Sequence, residues 1–238
     1  MMVIPGFEIR SGPPSIALIM TPTPDSLANK PLYLDDSLLV IVKPSGLLAV
    51  PGRGADKQDC LSARVQARYP DALIVHRLDM ATSGLMVMAR GLAAQRKLSQ
   101  AFAARAVKKR YIAVVAGRLV APPDDWGMIA LPIIVDWSNR PLRIVDHQIG
   151  KPSLTRWRVL GYDEAGTSTR VELEAVTGRS HQLRVHLREL GHPILGDALY
   201  APPEVQAQAD RLLLHAWSLR LVHPVTGEVL AFESSAPF

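Results

Sequence analysis

The sequence predicts an α+β protein built around an extended sheet. Three observations carry this. Its apolar runs are short and bounded by Gly, Pro or Asp, as strands are. Only a few stretches show helical spacing, and they alternate with the strand candidates. The 238 residues are 48% hydrophobic, enough to bury a sizeable core in one domain or in two subdomains sharing a sheet.

Residues 1 to 30 hold Pro5, Pro13, Pro14, Pro22 and Pro24, and are expected to be loose or extended. Their apolar patch at 16 to 20 is too short for a signal-peptide core, and a start at Met20 is also consistent with it. Order is expected from about residue 31, as one domain reaching residue 238. Residues 38 to 42 form an apolar strand that Lys43-Pro44-Ser45-Gly46 breaks with turn chemistry. Asp59 is placed to cap a helix in which Leu61, Val65 and Tyr69 recur, ended by Pro70. VHRLDMATSGLMVMAR, residues 75 to 90, reads as buried strand through Val75, Leu78 and Met80 and again through Leu85, Met86, Val87 and Met88, with a turn signal at 82 to 84. A second helix is expected over 92 to 106, with Leu98 and Phe102 on one face. Residues 111 to 115 read as a strand, and 121 to 150 as less regular. Strands are expected at 156 to 159 and 169 to 174, flanking the turn at 163 to 166. A short helix follows at 181 to 190, with Leu183, Leu187 and Leu190 as its buried stripe and Gly191 as its stop. Two last strands lie within 212 to 232, joined at 223 to 227.

Composition narrows the function classes. The formal net charge is +5, from 27 basic and 22 acidic side chains, a bias that matters only where the basic residues cluster. A single cysteine, Cys60, excludes an internal disulfide framework and reads as a small core residue in a cytoplasmic protein. No apolar run reaches the roughly 18 residues of a membrane span. His181 and His186 are not at the spacing that puts two ligands on one helix face. His76 and His192 lack an acid or cysteine to complete a metal set, so no metal is expected, and these histidines are structural or contact nucleic acid. Glycine-rich phosphate loops are absent, so no cofactor is expected either.

The chemistry concentrates in two stretches. His76, Arg77 and Asp79 interrupt an apolar run, where a carboxylate costs several kcal/mol unless paired. Asp79 is either tied to backbone amides of the turn at 82 to 84, or held ionised by an arginine and free to act as a nucleophile. Arg77 shares its strand face if the strand is regular. Arg184 is the other candidate, since it sits beside the buried stripe of TGRSHQLRVHLREL. Basic residues cluster at Arg96, Lys97, Arg105, Lys108, Lys109 and Arg110, and again at Arg179, Arg184 and Arg188. These clusters are a solvated helix face with charge at a helix C-terminus, or a phosphate-contacting surface around a cleft. Tyr111, next to the basic run, either packs in the core or stacks on a base.

Taken together, HRLDMATSG at 76 to 84, KPSGLLAVPG at 43 to 52, KKRY at 108 to 111, TGRSHQLRVHLRELGHPILGDALY at 177 to 200, LLLHAWSL at 212 to 219 and HPVTGE at 223 to 228 resemble the RluA family of pseudouridine synthases. LPIIVDWSNRP at 131 to 141 and GKPSLTRWRV at 150 to 159 are similar to its RluA subgroup, which acts on 23S rRNA and on the tRNA anticodon stem-loop. The resemblance implies a large, mostly antiparallel mixed sheet with flanking helices and a central cleft. It also implies the absence of an S4-like domain, for which the N-terminal extension is too short; separately, a monomer is expected. The implied reaction detaches uracil from ribose, turns it and rejoins it through C5, without a cofactor. Asp79 is then the catalytic carboxylate and Arg184 its ion-pair partner. Tyr111 stacks on the base and serves in removing the C5 proton. Arg77 fills the space of the extruded uridine, and Leu214 walls the uracil pocket. His76, Lys108, Lys109, Arg110 and Arg179 contact RNA. A catalytically silent RNA-binding protein on the same scaffold is the alternative.

Overall fold

The computed structural model describes residues 17–19 and 30–238. Strands β3 (Leu38–Lys43) and β5 (Ser83–Arg90) pair antiparallel, and both are apolar almost throughout because both of their faces are covered. On one face Leu38, Val40, Leu85 and Val87 pack with Leu98 and Phe232; on the other, Leu39, Ile41, Met86 and Met88 pack with Leu61 and Val65. A strand buried on both sides loses the polar alternation of a half-exposed one. The helices responsible are α1 (Leu61–Gln66) and α2 (Gly91–Ala103). Between them, β4 (Ala72–Ile74) pairs with β5, and the two-residue β2 (Tyr33–Leu34) edges β3.

The second half is built on β6 (Lys108–Ala116), β10 (Leu154–Tyr162) and β11 (Ser168–Ala175), with β7 (Gly127–Ala130) at the edge. Here alternation is clear. Ala113, Val115, Trp157, Val171 and Leu173 face a core closed by Leu183 and Leu187 of α3 (Gln182–Glu189). The opposite face carries Arg110, Arg158, Glu172 and Glu174. After the short α4 (Pro203–Gln206), β12 (Leu214–Val222) joins the halves, antiparallel to β6 and parallel to β5. β13 (Val229–Glu233) pairs with β12. The result is an 11-stranded mixed sheet, ordered β2-β3-β5-β12-β6-β11-β10-β7, with β4, β13 and β1 (Ala17–Ile19) paired off that path. Strands β8 (Ile133–Val135) and β9 (Arg143–Val145) form a separate hairpin. The Pro-rich stretch expected to be loose lies outside the described residues, apart from β1, which pairs parallel with β13.

The parallel seam depends on one glycine. Gly84 has φ +117°, and a Cβ there would lie 2.4 Å from the Ala216 carbonyl oxygen. Only glycine permits both that backbone and that approach.

Several expectations need correction. The cap of α1 is Cys60, whose sulfur accepts from Ala63 N–H at 3.5 Å; Asp59 instead pairs with Arg64. That helix ends before Tyr69. Helix α2 stops at Ala103, so Lys108, Lys109 and Arg110 are not helix-end charges but the start of β6. Residues 121–150 contain β7, β8 and β9. Leu190 is 37% exposed, outside the buried stripe. Most consequentially, residues 75–82 form no strand but a loop between β4 and β5. Apolar content there reflects Leu78 reaching down into the core, not a continuous pleat.

Candidate active site

Helices α2 and α3 pack on the same side of the sheet, and a cleft of about 690 Å³ opens between the end of one and the start of the other. The loop at 75–82 enters it, over a floor that includes Tyr111 of β6 and Leu214 of β12. Among the described residues, Asp79 is the one acidic side chain that lines the cleft, beside Arg77, Arg105, Lys109, Arg143, Arg179 and Arg184.

The loop is clamped from below. Lys43 is fully buried, and its Nζ donates to the carbonyls of Pro44, Leu47 and Met80 at 2.8, 2.7 and 2.9 Å. Gly46 N–H donates to the same Met80 carbonyl at 2.9 Å, and Ser45 Oγ to Ala81 O at 2.7 Å. Burial pushes the Lys43 ammonium down to about 8, although Asp79 nearby favours its charge. KPSG is therefore more than a strand-breaking turn: it pins the residues that follow Asp79.

Asp79 itself is mostly buried, and its main-chain carbonyl accepts from Thr82 N–H at 3.2 Å. Its carboxylate accepts no hydrogen bond among the described residues, so the turn at 82–84 does not consume it. Each oxygen faces one basic group just beyond bonding distance: Arg184 Nη1 is 3.8 Å from Oδ2, and His181 Nε2 is 3.9 Å from Oδ1. Arg184 is thus beside Asp79, but its strong partner is Asp197, which it grips at 2.8 and 2.5 Å. Asp197, His181 and Lys43 were not legible as site residues. Buried charge within GDALY and within KPSG was the available signal.

The TGRSHQ segment is shaped by Gln182. Its Oε1 accepts from Thr177 Oγ1 at 2.7 Å and from Arg179 N–H at 3.0 Å, while its Nε2 donates to Leu154 O at 2.9 Å. His181 then caps α3 in the left-handed region, φ 58°. Burial lowers the affinity of His181 for a proton; Asp79 opposes this and Arg184 adds to it, and the net direction, below an ordinary imidazole, keeps the ring neutral near pH 7.

Tyr111 packs against Leu214 and Leu183, and burial, reinforced by Asp79, pushes its phenol well above the ordinary range. His76 stacks on Phe102 with ring centroids 4.4 Å apart. Its Nε2 accepts from Val87 N–H at 3.0 Å, and burial pushes it down to about 3, which leaves no positive charge for a phosphate. Arg77 is exposed in the loop and lines the cleft, though not as a strand neighbour of Asp79. Pleating separates the basic run: Lys109 turns to the cleft, while Arg110 turns to the other face and pairs with Glu172 at 3.1 Å. Lys108 lies on that outer side too, opposite Arg220. Arg179 lines the cleft. His186 is a core histidine, held by Ser153 and Thr155 at 2.9 and 2.8 Å.

The arrangement offers a carboxylate in a cationic cleft, with Tyr111 and Leu214 as walls for a planar ring. The family model for RNA pseudouridylate synthase matches residues 37–189. The sequence is 50% identical over 207 residues to the Dual-specificity RNA pseudouridine synthase RluA of Escherichia coli (strain K12), covering 87% of this chain and 93% of that protein. Identity to the protein of the same description from Haemophilus influenzae is 45%, with the same coverage. Among solved structures, Human RNA Pseudouridylate Synthase Domain Containing 1 superposes with a TM-score of 0.70 at 30% identity, covering 87% of this chain and 82% of that one.

Proposed function

This chain belongs to the RNA pseudouridylate synthase family and is an RNA pseudouridine synthase, and on that premise we propose that Asp79 is its catalytic carboxylate, acting on both a tRNA anticodon stem-loop and a 23S rRNA hairpin. The observation that supports the first part is an Asp79 carboxylate lining the cleft, flanked by Arg184 and His181 yet bonded to neither. The dual specificity in the description of the 50% identical relative supports the second.

In the reaction the N1–C1′ bond breaks, the C5–C1′ bond forms, C5 loses its proton and N1 gains one. No electrons leave the system. Asp79 initiates it by attack at C6 of the base or C1′ of the ribose, or as a base at C2′; one carboxylate serves each route. Tyr111 and Leu214 wall the uracil. A phenol with a raised pKa keeps its proton, which favours stacking by Tyr111 over a role as a ready base. Arg77 fills the gap that the extruded uridine leaves, and extrusion costs a few kcal/mol. Contacts of Lys109 and Arg179 to phosphates offset that cost.

The test uses transcribed stem-loops of both RNA types carrying tritium at uridine C5. Wild type should release tritium from both. Asp79→Asn should lose turnover by at least ~10⁴-fold while binding RNA within about threefold of wild type. Substantial release by the variant would remove Asp79 from the chemistry. Release from one RNA only would remove the dual specificity.

A further inference from the structure

The turn from Asp197 to Tyr200 makes no hydrogen bond or ion pair to the loop at 75–82 among the described residues, yet it holds both groups that face Asp79. Asp197 is fully buried and takes the Nε–Nη2 edge of Arg184, at 2.8 and 2.5 Å. The same carboxylate accepts from the N–H groups of Leu199 and Tyr200, at 2.9 and 3.1 Å, which fixes its orientation. The residue before it must be glycine: Gly196 has φ +71°, and a Cβ there would lie 1.9 Å from Arg211 O. Tyr200 supports both partners. Its ring lies 5.0 Å beneath the Arg184 guanidinium. Its hydroxyl accepts from Arg143 N–H at 2.9 Å and meets His181 Nδ1 at 2.6 Å. Arg143 N–H is a donor, so among the described residues Nδ1 is the one acceptor recorded for the phenolic proton, and the hydroxyl donates to it. The network thereby assigns the proton of neutral His181 to Nε2, the atom facing Asp79.

An arginine fork would normally close on a carboxylate with two parallel bonds. Here the fork is occupied. Only Nη1 is left for Asp79, and it stays 3.8 Å away. The Asp79 oxygens therefore feel positive charge without surrendering their lone pairs. We propose that Asp197 and Tyr200 are positioning residues for the isomerisation: they hold Arg184 and His181 beside the Asp79 carboxylate but off it, so that its oxygens stay free to react. The proposal rests on the reading that Asp79 is catalytic.

The test measures the single-turnover rate, RNA affinity and melting temperature of Asp197→Asn and Tyr200→Phe in the full chain, beside Asp79→Asn. In Asp197→Asn the amide no longer holds the guanidinium, and Arg184 closes on Asp79. The rate should fall about 100-fold while RNA affinity stays within about threefold. Because Asp197 acts through Arg184, adding Asp197→Asn to Arg184→Lys should slow that variant by less than about threefold. A purely structural role would lower the melting temperature and give independent, multiplicative losses. A folded Asp197→Asn protein with a wild-type rate, or multiplicative losses, overturns the proposal. Should Asp197→Asn not fold, Tyr200→Phe decides, since it leaves the ion pair intact. About a tenfold slower rate at unchanged affinity is expected from it, and an unchanged rate overturns the proposal. Were Asp79→Asn to keep its activity, the underlying reading would fall. If Asp79→Asn is dead and the positioning variants are not slowed, this proposal alone falls.

Discussion

On the outer face of β6, β10 and β11, Arg110, Arg156 and Arg158 meet Glu172, Glu174 and Asp125 at 2.6 to 3.2 Å and pack over the ring of Trp126. On the cleft side, Arg77, Arg105, Lys109, Arg143 and Arg179 have no carboxylate within 4.0 Å among the described residues. The two sides are comparably rich in cations. The outer arginines around Trp126 are neutralised internally, although Lys108 and Arg220 on that face have no carboxylate within 4.0 Å among the described residues, whereas the cleft cations named above are left unpaired. Net charge alone does not distinguish these cases; only the pairing does, because a guanidinium already bonded to Glu172 releases no counterion when RNA approaches.

Moving a charge across that divide should break the difference most strongly. Lys109→Glu places a carboxylate among the free cations and removes one of them. RNA affinity should fall by about 100-fold, and the salt dependence should flatten by about two units of log–log slope. Filter binding between low and physiological salt measures both. An unchanged slope would mean that the cleft cations do not meet phosphates.

Glu172 tests the opposite side. It is buried, and it is bonded to Arg110 and to Arg158. Glu172→Gln should cost about 1.5–3 kcal/mol of stability, the range for a charge-assisted hydrogen bond, with RNA affinity within about twofold. Denaturant unfolding and the same binding assay separate the two. A large loss of affinity in a stable variant would move RNA to the outer face.

Acid should act on both sides alike. His76, by the cleft, is pushed down to about 3, and His215, on the outer side between Ser83 and Ser234, to about 4. The unfolded chain protonates these groups below an ordinary 6.5 while the folded chain does not. Stability is therefore full above 6.5 and is lost as pH falls toward the folded values. Between pH 7 and pH 6 each histidine should cost about 0.7 kcal/mol, roughly 1.4 kcal/mol together. Unfolding curves at the two pH values check this. A flat response would mean that the imidazoles are not held neutral.

Much of the molecule was legible in the sequence, for physical reasons that also explain the rest. Strands β3 and β5 announce themselves by short apolar runs between turn residues, and β11 and β12 by apolar residues alternating with polar ones. Asp79 stood out because a carboxylate among Leu78, Leu85 and Met86 demands an explanation. The loop at 75–82 carries a strand's pattern because Leu78 fills the core as a strand residue would; local pattern does not separate a pleat from a loop that dips inward. The Lys108–Arg110 run forms one cluster in sequence, but the pleat of β6 sends its neighbours to opposite faces. Asp197 and Lys43 leave no local signal because their roles are set by partners distant in the chain, Arg184 and the Met80 carbonyl. Sequence spacing carries no trace of such contacts.

The smallest effect is the most exacting check on the pairing argument. Arg156 is an outer-face arginine with a 41% exposed side chain, bonded to Glu174 at 3.0 Å and lying 4.9 Å over Trp126. It belongs to a stretch that resembles the RNA-modifying subgroup, so charge alone would assign it to RNA. Pairing predicts otherwise. An ion pair this exposed is worth up to about 1 kcal/mol, so Arg156→Ala should lower stability by no more than that. Its RNA affinity should stay within about twofold, and its salt slope should not move. Lys109→Ala, a neutralisation of equal size on the cleft side, should instead reduce the slope by about one unit at nearly unchanged stability. The two variants differ by one charge each and by the face from which it is taken. Equal slopes from both would mean that RNA senses the total charge of the sheet rather than the cations left unpaired.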